Sequence, residues 1–402
     1  RVRRVVIVMK MQRASMYRPP AGRWRVPAVV LVAAAVLLLG LFHWAQARLG
    51  FQVGGSLAGS VPGRVAGSLP GSLPGSMSGW GTGRLPGSPP GLATDVPGAP
   101  GGFETDVQVA ERRAVALMAE GLRIIARARE AAGYPVDAAV DPNMTGLIGA
   151  EWSSITTTLG DLQAKRTATN PLWAAYVVRR MAEAGVRPGD VVWAAFSGSF
   201  PGFNLAVLAA AEAMGVELYA VSSLSASTWG ANLPGFTWID MEAALREAGL
   251  FRGGTVRGTV AVTFGGDYDR GPELFSVFAD EPGQGVAALR AAAARHPWPL
   301  LEPEDLDEAV ELRIKVLAEA GGRPLPALLI NAGGGHASLG DCYDVWPPGL
   351  TTGPRPCGGA TPGLMHVLSQ RGVPVLHLLN ARALALAAGI PVDGRFDIES
   401  GF

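Results

Sequence analysis

Four short stretches hold most of the side chains with which this chain of 402 residues could do chemistry, and each comes directly after an apolar run. They are SGSFPGFN (197–204), SSLSAS (222–227), GGDYDRG (265–271) and NAGGGHASLG (331–340). In the first, a helix opening near Pro201 would aim backbone N–H groups and the Ser197 and Ser199 hydroxyls at an anion. A strand-to-helix turn also exposes a serine nucleophile, but neither serine has glycines at both minus two and plus two, as the G-x-S-x-G elbow requires. A tight turn with serine as helix cap accounts for the same residues.

In the last stretch, Gly333, Gly334 and Gly335 let backbone approach a ligand closely, and His336 comes next. A neutral imidazole there suits a general base oriented by Asp267 or Asp341, and equally a loop donor bound to backbone carbonyls. The third stretch offers Gly265 and Gly266 for close approach and Asp267 with Asp269 for a cation, with fewer oxygen ligands than a Ca²⁺ loop uses. No metal is expected, and no cofactor, because the dinucleotide fingerprint G-x-G-x-x-G with its later acidic residue is not met.

Upstream, Lys165 and Arg166 sit among Thr156, Thr157, Thr158 and Thr167, a composition that fits a carboxylate or phosphate clamp or a solvated helix face. Ser222 and Ser223 add hydroxyls, and Trp229 and Asn232 add shape and hydrogen bonding, with Trp229 equally suited to a core. Cys342 and Cys357 are the two cysteines of the chain. They bracket a Pro/Gly-rich loop, and their spacing fits a structural disulfide better than a zinc site or a C-x-x-C redox pair.

The elements that must position these residues alternate. Apolar, β-branched runs at 190–196, 216–221, 257–264, 326–331 and 373–379 predict strands. Helices are predicted from Asp106 to Ala132, from Asn170-Pro171 to Gly185, from Pro303 to near Ala320, and after Thr361-Pro362. That rhythm predicts a doubly wound α/β fold with a mostly parallel sheet of five or more strands, whose carboxyl-end loops meet at one rim.

The first hundred residues differ in kind. Residues 1–102 carry 11 of the 34 basic groups and, in Asp95, one of the 34 acidic ones, so the remainder holds 23 basic against 33 acidic groups. A domain with that acidic excess has no footprint for nucleic acid. Val26 to Trp44 is an uninterrupted apolar run of 19 residues behind an arginine-rich 1–25 segment. As a helix it would rise about 28 Å, which predicts a transmembrane anchor with a cytoplasmic N-terminus. A cleaved signal ending at Ala45-Gln46-Ala47 is the competing reading, and both export the C-terminal domain. Residues 45–102 read as a disordered Gly/Pro/Ser linker: 50–102 contain 16 Gly, 8 Pro and 7 Ser, and a coil of that length spans about 40 Å. Beyond it, 103–402 read as an extracytoplasmic α/β domain.

Taken in order, the blocks EWSSITTTLGDLQAKRTATNP, GDVVWAAFSGSFPGFNLAVLAA, SSLSASTWGANLPGFTWIDME, TFGGDYDRG, INAGGGHASLG and PVLHLLNARALA resemble the poly-gamma-glutamate system protein family. That family is a membrane-anchored component encoded with bacterial poly-γ-glutamate synthesis genes. The resemblance runs from about 105 to 395, with a longer spacer than the pattern has, and it brings no catalytic residues to carry across. It implies a role outside the cell in making, exporting, tethering or trimming an anionic peptide polymer, with the polymer or its synthase subunits as partners. Two functions are expected from it: a non-catalytic accessory protein that binds an anionic ligand at the strand-end loops, or a serine-dependent hydrolase or transferase acting on γ-glutamyl or other amide bonds. The second would use Ser197 or Ser199 with His336 and an aspartate. A tethered two-lobed solute-binding domain is a third possibility.

Overall fold

The computed structural model describes residues 101–251, 253–272, 283–342 and 345–398. The chain divides into two units, Arg1–Gly91 and Leu92–Phe402, and every described residue belongs to the second. The expected anchor at 26–44, the basic segment before it and the linker up to residue 100 lie outside the described residues. Among the described residues no helix is long and apolar enough to cross a membrane.

The fold is mixed α/β, built on a mostly parallel seven-stranded sheet. Its strands are β1 (Val191–Phe196), β2 (Glu217–Ser223), β5 (Val256–Thr263), β6 (Leu300–Leu301), β7 (Leu328–Ala332), β8 (Gly349–Thr351) and β9 (Val375–Leu378). Their spatial order is β6-β5-β2-β1-β7-β9-β8, with only β8 antiparallel. A separate two-residue ladder joins β3 (Asn232–Leu233) to β4 (Phe236–Thr237). From β1 the chain works outward through β2 and β5 to β6, then returns to the other side of β1 for β7 and β9. The order reverses at β1.

β1, with the sequence VVWAAF, is buried along its whole length, as a central strand covered on both faces must be. Side chains alternate between faces. Val192, Ala194 and Phe196 join one core with Met118, Trp173 and Phe203. Val191, Trp193 and Ala195 join the other with Val310, Leu317 and Leu368. The first core is covered by α1 (Gly101–Ala131), α3 (Leu172–Glu183) and α4 (Pro201–Met214), the second by α7 (Leu306–Gly321) and α9 (Leu364–Gln370). Between these run the short α2 (Leu162–Thr167), α5 (Trp238–Glu247) and α6 (Gln284–Ala294). Two further helices, α8 (His336–Leu339) and α10 (Ala381–Ala388), open at carboxyl ends of strands.

The five expected strands and the expected helices are all present, with ends moved by a few residues. Helix α4 is buried almost throughout, which explains its lack of polar periodicity. Trp173 of α3 meets Phe203 edge to face at 4.9 Å and donates its indole N–H to Thr167 O at 2.7 Å, tying α2, α3 and α4 together.

Cys342 and Cys357 form a disulfide, 15 residues apart, as their spacing predicts. It sits beside Asp341, whose N–H donates to Thr361 O at 2.9 Å. On the chain-entropy account a loop of this size contributes about 3 kcal/mol. A Cys342→Ser/Cys357→Ser double variant is therefore expected to lose about 3 kcal/mol in denaturant unfolding. An unchanged midpoint would show that the segment is held by its other contacts.

Candidate functional site

Parallel strands end on the same side, so the loops after β1, β2, β5, β7 and β9 share one edge of the sheet. There they enclose a cavity of about 610 Å³, lined from these loops by Ser197, Ser199, Ser223, Ser225, Ser227, Gly266, Asp267, Gly334, Gly335, His336 and Arg382. Thr157, Thr158 and Lys165 close it from the segment before β1. The four loops singled out from the sequence thus converge, joined by a fifth after β9.

Backbone bonds fix the convergence. Ser197 N–H donates to Ala332 O at 3.1 Å, joining the ends of β1 and β7, and buried Asn204 of α4 donates to Ser197 O at 2.9 Å. Gly333 is at φ +106°, and a Cβ there would lie 2.8 Å from Ser197 Cβ. A Cβ on Gly198 would lie 2.6 Å from Ser225 O. Glycine is required at both positions for the loops to touch.

Serines knit the remainder. Ser199 Oγ accepts from Ser227 N–H at 2.9 Å, Ser197 Oγ accepts from Ser199 N–H at 3.1 Å, and Ser223 Oγ donates to Phe196 O at 3.2 Å. Ser225 Oγ is buried against the cavity without a hydrogen-bond partner among the described residues. An unpaired hydroxyl in that position costs stability unless something else satisfies it, so it is a vacant donor for a ligand.

Lys165 enters from α2, whose N-cap Asp161 accepts from Ala164 N–H at 2.8 Å. Its side chain is only 3% exposed. Nζ donates to Ser199 O and to Ser227 Oγ, the latter at 2.6 Å, and lies 3.8 Å above the Phe200 ring centroid. Among the described residues no carboxylate bonds to it. Burial pulls its pKa down to about 7, with the Asp161 charge opposing.

His336 stands at the opposite wall. Its Nδ1 accepts from Tyr268 N–H at 3.2 Å, which puts the ring proton on Nε2, donated to Asp341 Oδ1 at 2.9 Å. Asp267 Oδ1 is 4.0 Å from Nδ1, and the Tyr268 ring lies edge-on at 4.6 Å. With both ring nitrogens occupied, His336 has no lone pair for a serine proton. The expected pairing of Ser197 or Ser199 with His336 is therefore not made, and of the two candidate orienters, Asp267 and Asp341, it is Asp341 that bonds the ring.

Several expected ligand residues face elsewhere. Arg166 donates to Val140 O at 2.7 Å and Ala139 O at 2.9 Å and pairs with Asp393, so it clasps neighbouring chain rather than the cavity. Ser222 is buried against the neighbouring strand β5, its Oγ 2.7 Å from Thr259 Oγ1. Trp229 borders a separate cleft with Leu147 and Pro201. Asn232 is fully buried, accepting from Ala150 N–H and donating to Ala150 O and Thr156 Oγ1 at 2.9 to 3.0 Å. Gly265 faces a small cleft with Asp269 and Arg313, and Gly333 packs on Ser197. Asp269 turns inward to Thr263 and an ion pair with Arg313, leaving Asp267 alone at the rim. Among the described residues no group of three or more His, Cys, Asp or Glu could hold a metal. His377 is a core residue, accepting from Asn331 at 2.9 Å, with burial taking its pKa down to about 4.

Ser225 and Ser227 line the cavity from the stretch 222–227, in which the sequence singles out only Ser222 and Ser223 as ligand contacts, and Arg382 lines it without standing out in the sequence. Ser223, Ser225 and Ser227 are spaced by two, which on an extended segment puts all three on one face and Ser222 on the other.

No family model matches the chain, and no curated protein matches it. Among solved structures, a crystal structure of O-ureido-L-serine synthase is 14% identical with a TM-score of 0.15, covering 57% of this chain and 71% of its own. A point variant of that synthase with O-ureido-L-serine bound is 15% identical with a TM-score of 0.15, covering 56% and 68%. Likenesses this slight carry no argument about the site.

The geometry makes Asn232 and Lys165 testable. Asn232→Ala leaves Ala150 N–H without its acceptor and takes one donor from Thr156 Oγ1, while Ala150 O keeps the Trp229 N–H at 2.8 Å, an expected loss of about 2 kcal/mol in denaturant unfolding; a change near zero would return Asn232 to the ligand-facing set. Lys165 releases its proton near pH 7 when folded, against an ordinary lysine value of 10.5. Between those values the unfolded state binds more protons, so this group makes stability rise with pH across that window. Wild type is expected to gain stability relative to Lys165→Met from pH 7 to 10, and parallel pH profiles would contradict the depressed value.

Proposed function

We propose that the protein binds an anionic, carboxylate-bearing ligand in this cavity, as a membrane-anchored extracytoplasmic accessory protein of bacterial poly-γ-glutamate synthesis or export. The observation that carries the binding reading is the wall itself. Five serine side chains, two threonines, Lys165 and Arg382 converge on one space, and Ser225 Oγ has no partner in it. Hydroxyl and cationic donors in a concave site suit a carboxylate. The apolar run at 26–44, its arginine flank, the spacer after it and the order of sequence blocks support the anchored, exported setting and the polymer. The doubly wound reading, with its ligand at the switch point, agrees with this placement.

One contact favours a second reading, a hydrolase or transferase acting on γ-glutamyl amide bonds. Ser227 Oγ lies 2.6 Å from Lys165 Nζ, a hydroxyl–amine pair that could replace the serine–histidine pair.

The test uses the full chain in detergent, incubated with poly-γ-glutamate and with neutral dextran at low and high salt, scoring retention and polymer length. Retention of the polyglutamate alone, lost at high salt and weakened about three- to tenfold by Arg382→Ala, is the expected result. Equal retention of dextran, or none of either polymer, would count against an anionic ligand of this kind. Shortened chains would move the assignment to the hydrolase.

A further inference from the structure

The chain contains 34 Lys+Arg, yet just three are lysines: Lys10, Lys165 and Lys315. One of the three is the buried residue at the base of the cavity. A guanidinium stays charged at every accessible pH, whereas a desolvated ammonium can lose its proton, so the two side chains are not interchangeable there. As a neutral amine, Lys165 has two N–H bonds, matching its two acceptors, Ser199 O and Ser227 Oγ. Its lone pair then remains free. Among the described residues no carboxylate is bonded to hold the proton, and the titratable and charged groups sharing the cavity are Asp161, Asp267, His336 and Arg382.

We propose that Lys165 is an imine-forming lysine, and that the cavity takes a small aldehyde or ketone carrying a carboxylate or phosphate. The Nζ lone pair attacks the carbonyl carbon, forming the C–N bond as the C=O π pair moves to oxygen, and the oxygen takes up the proton that the nitrogen gives up. The carbinolamine then loses water to leave C=N, so that amine and carbonyl give imine and water with no oxidant or reductant. Arg382, which lines the cavity, and the Ser225 hydroxyl receive the anionic group. A cavity of about 610 Å³ admits a ligand of this size. The inference stands on the cavity alone and is independent of the polymer reading.

Lys315 serves as an internal control, being an exposed lysine on α7. The full chain is treated with glyoxylate, with pyridoxal 5′-phosphate and with uncharged propanal, reduced with cyanoborohydride, and mapped by peptide mass spectrometry from pH 6 to 10. Expected is trapping at Lys165 at least tenfold above Lys315 near pH 7.5, rising through a midpoint near 7 with the anionic aldehydes. Glyoxylate and pyridoxal 5′-phosphate distinguish a carboxylate from a phosphate on the carbonyl ligand. Equal labelling of the two lysines, or none at Lys165, would overturn the proposal. Propanal trapped as readily as glyoxylate would overturn its anionic half. Because the readout is on the unmodified sequence, it does not depend on a variant folding. Loss of polyglutamate retention would leave this result untouched, and the reverse holds too.

Discussion

Parallel pairing on both sides of β1 is the constraint from which the site arises. Val192 to Phe196 run in register with Leu218 to Ser222 on one side and with Leu328 to Ala332 on the other. Three carbonyl ends are thereby brought level, and the loops that leave them have nowhere to go but the same rim. The helices that return the chain must cover opposite faces, which is why alternate residues of β1 belong to two separate cores. Packing sets the depth of the rim as well. Ser197 is held by Ala332 beneath it and Asn204 beside it, so the small residues at 198 and 333 are imposed by strand spacing rather than by any ligand.

Much of this is legible from residue types. A run such as VVWAAF can hardly be anything but a central strand, because nothing in it tolerates water on either face, and LLINA is polar only at Asn331, which is buried against His377. The two- and three-residue strands β3, β4, β6 and β8 have no pattern long enough to read. Within the site the loops are visible in the sequence and the orientations are not. Lys165 and Arg166 are neighbours in sequence but about 100° apart around a helix, so at most one could enter the cavity. On an extended segment Asp267 and Asp269 would share a face. Instead Tyr268 and Asp269 take φ of +53° and +58°, which turns Asp269 into the core against Arg313. Asn232 illustrates the opposite confusion: an amide that looks like a ligand contact in sequence is, in the fold, the clamp that fastens Ala150 and Thr156 beside the cavity.

The polarity of the rim is organised against the charge of its surroundings. The sequence beyond residue 102 carries 33 acidic and 23 basic groups, a field that would repel an anion at long range. Screening confines that repulsion to about 8 Å at physiological salt, so a ligand already inside the cavity responds to its lining. Seven of the lining residues, five serines and two threonines, carry hydroxyls. Hydroxyls can donate to an anion without adding charge that would have to be desolvated when the site stands open.

Lys165 is the exception, and its surroundings show how the exception is tolerated. A permanently charged ammonium held under Phe200 and between two neutral acceptors would carry a large desolvation cost with no ion partner to offset it. Release of the proton near neutrality removes that cost and leaves an amine whose two hydrogens are both satisfied. An incoming carboxylate restores the missing partner and favours the protonated form, while an incoming carbonyl consumes the neutral one. On the two proposed readings the same buried nitrogen would respond with different proton balances: uptake for a carboxylate that is only held, and no net uptake for a neutral imine formed from the neutral amine.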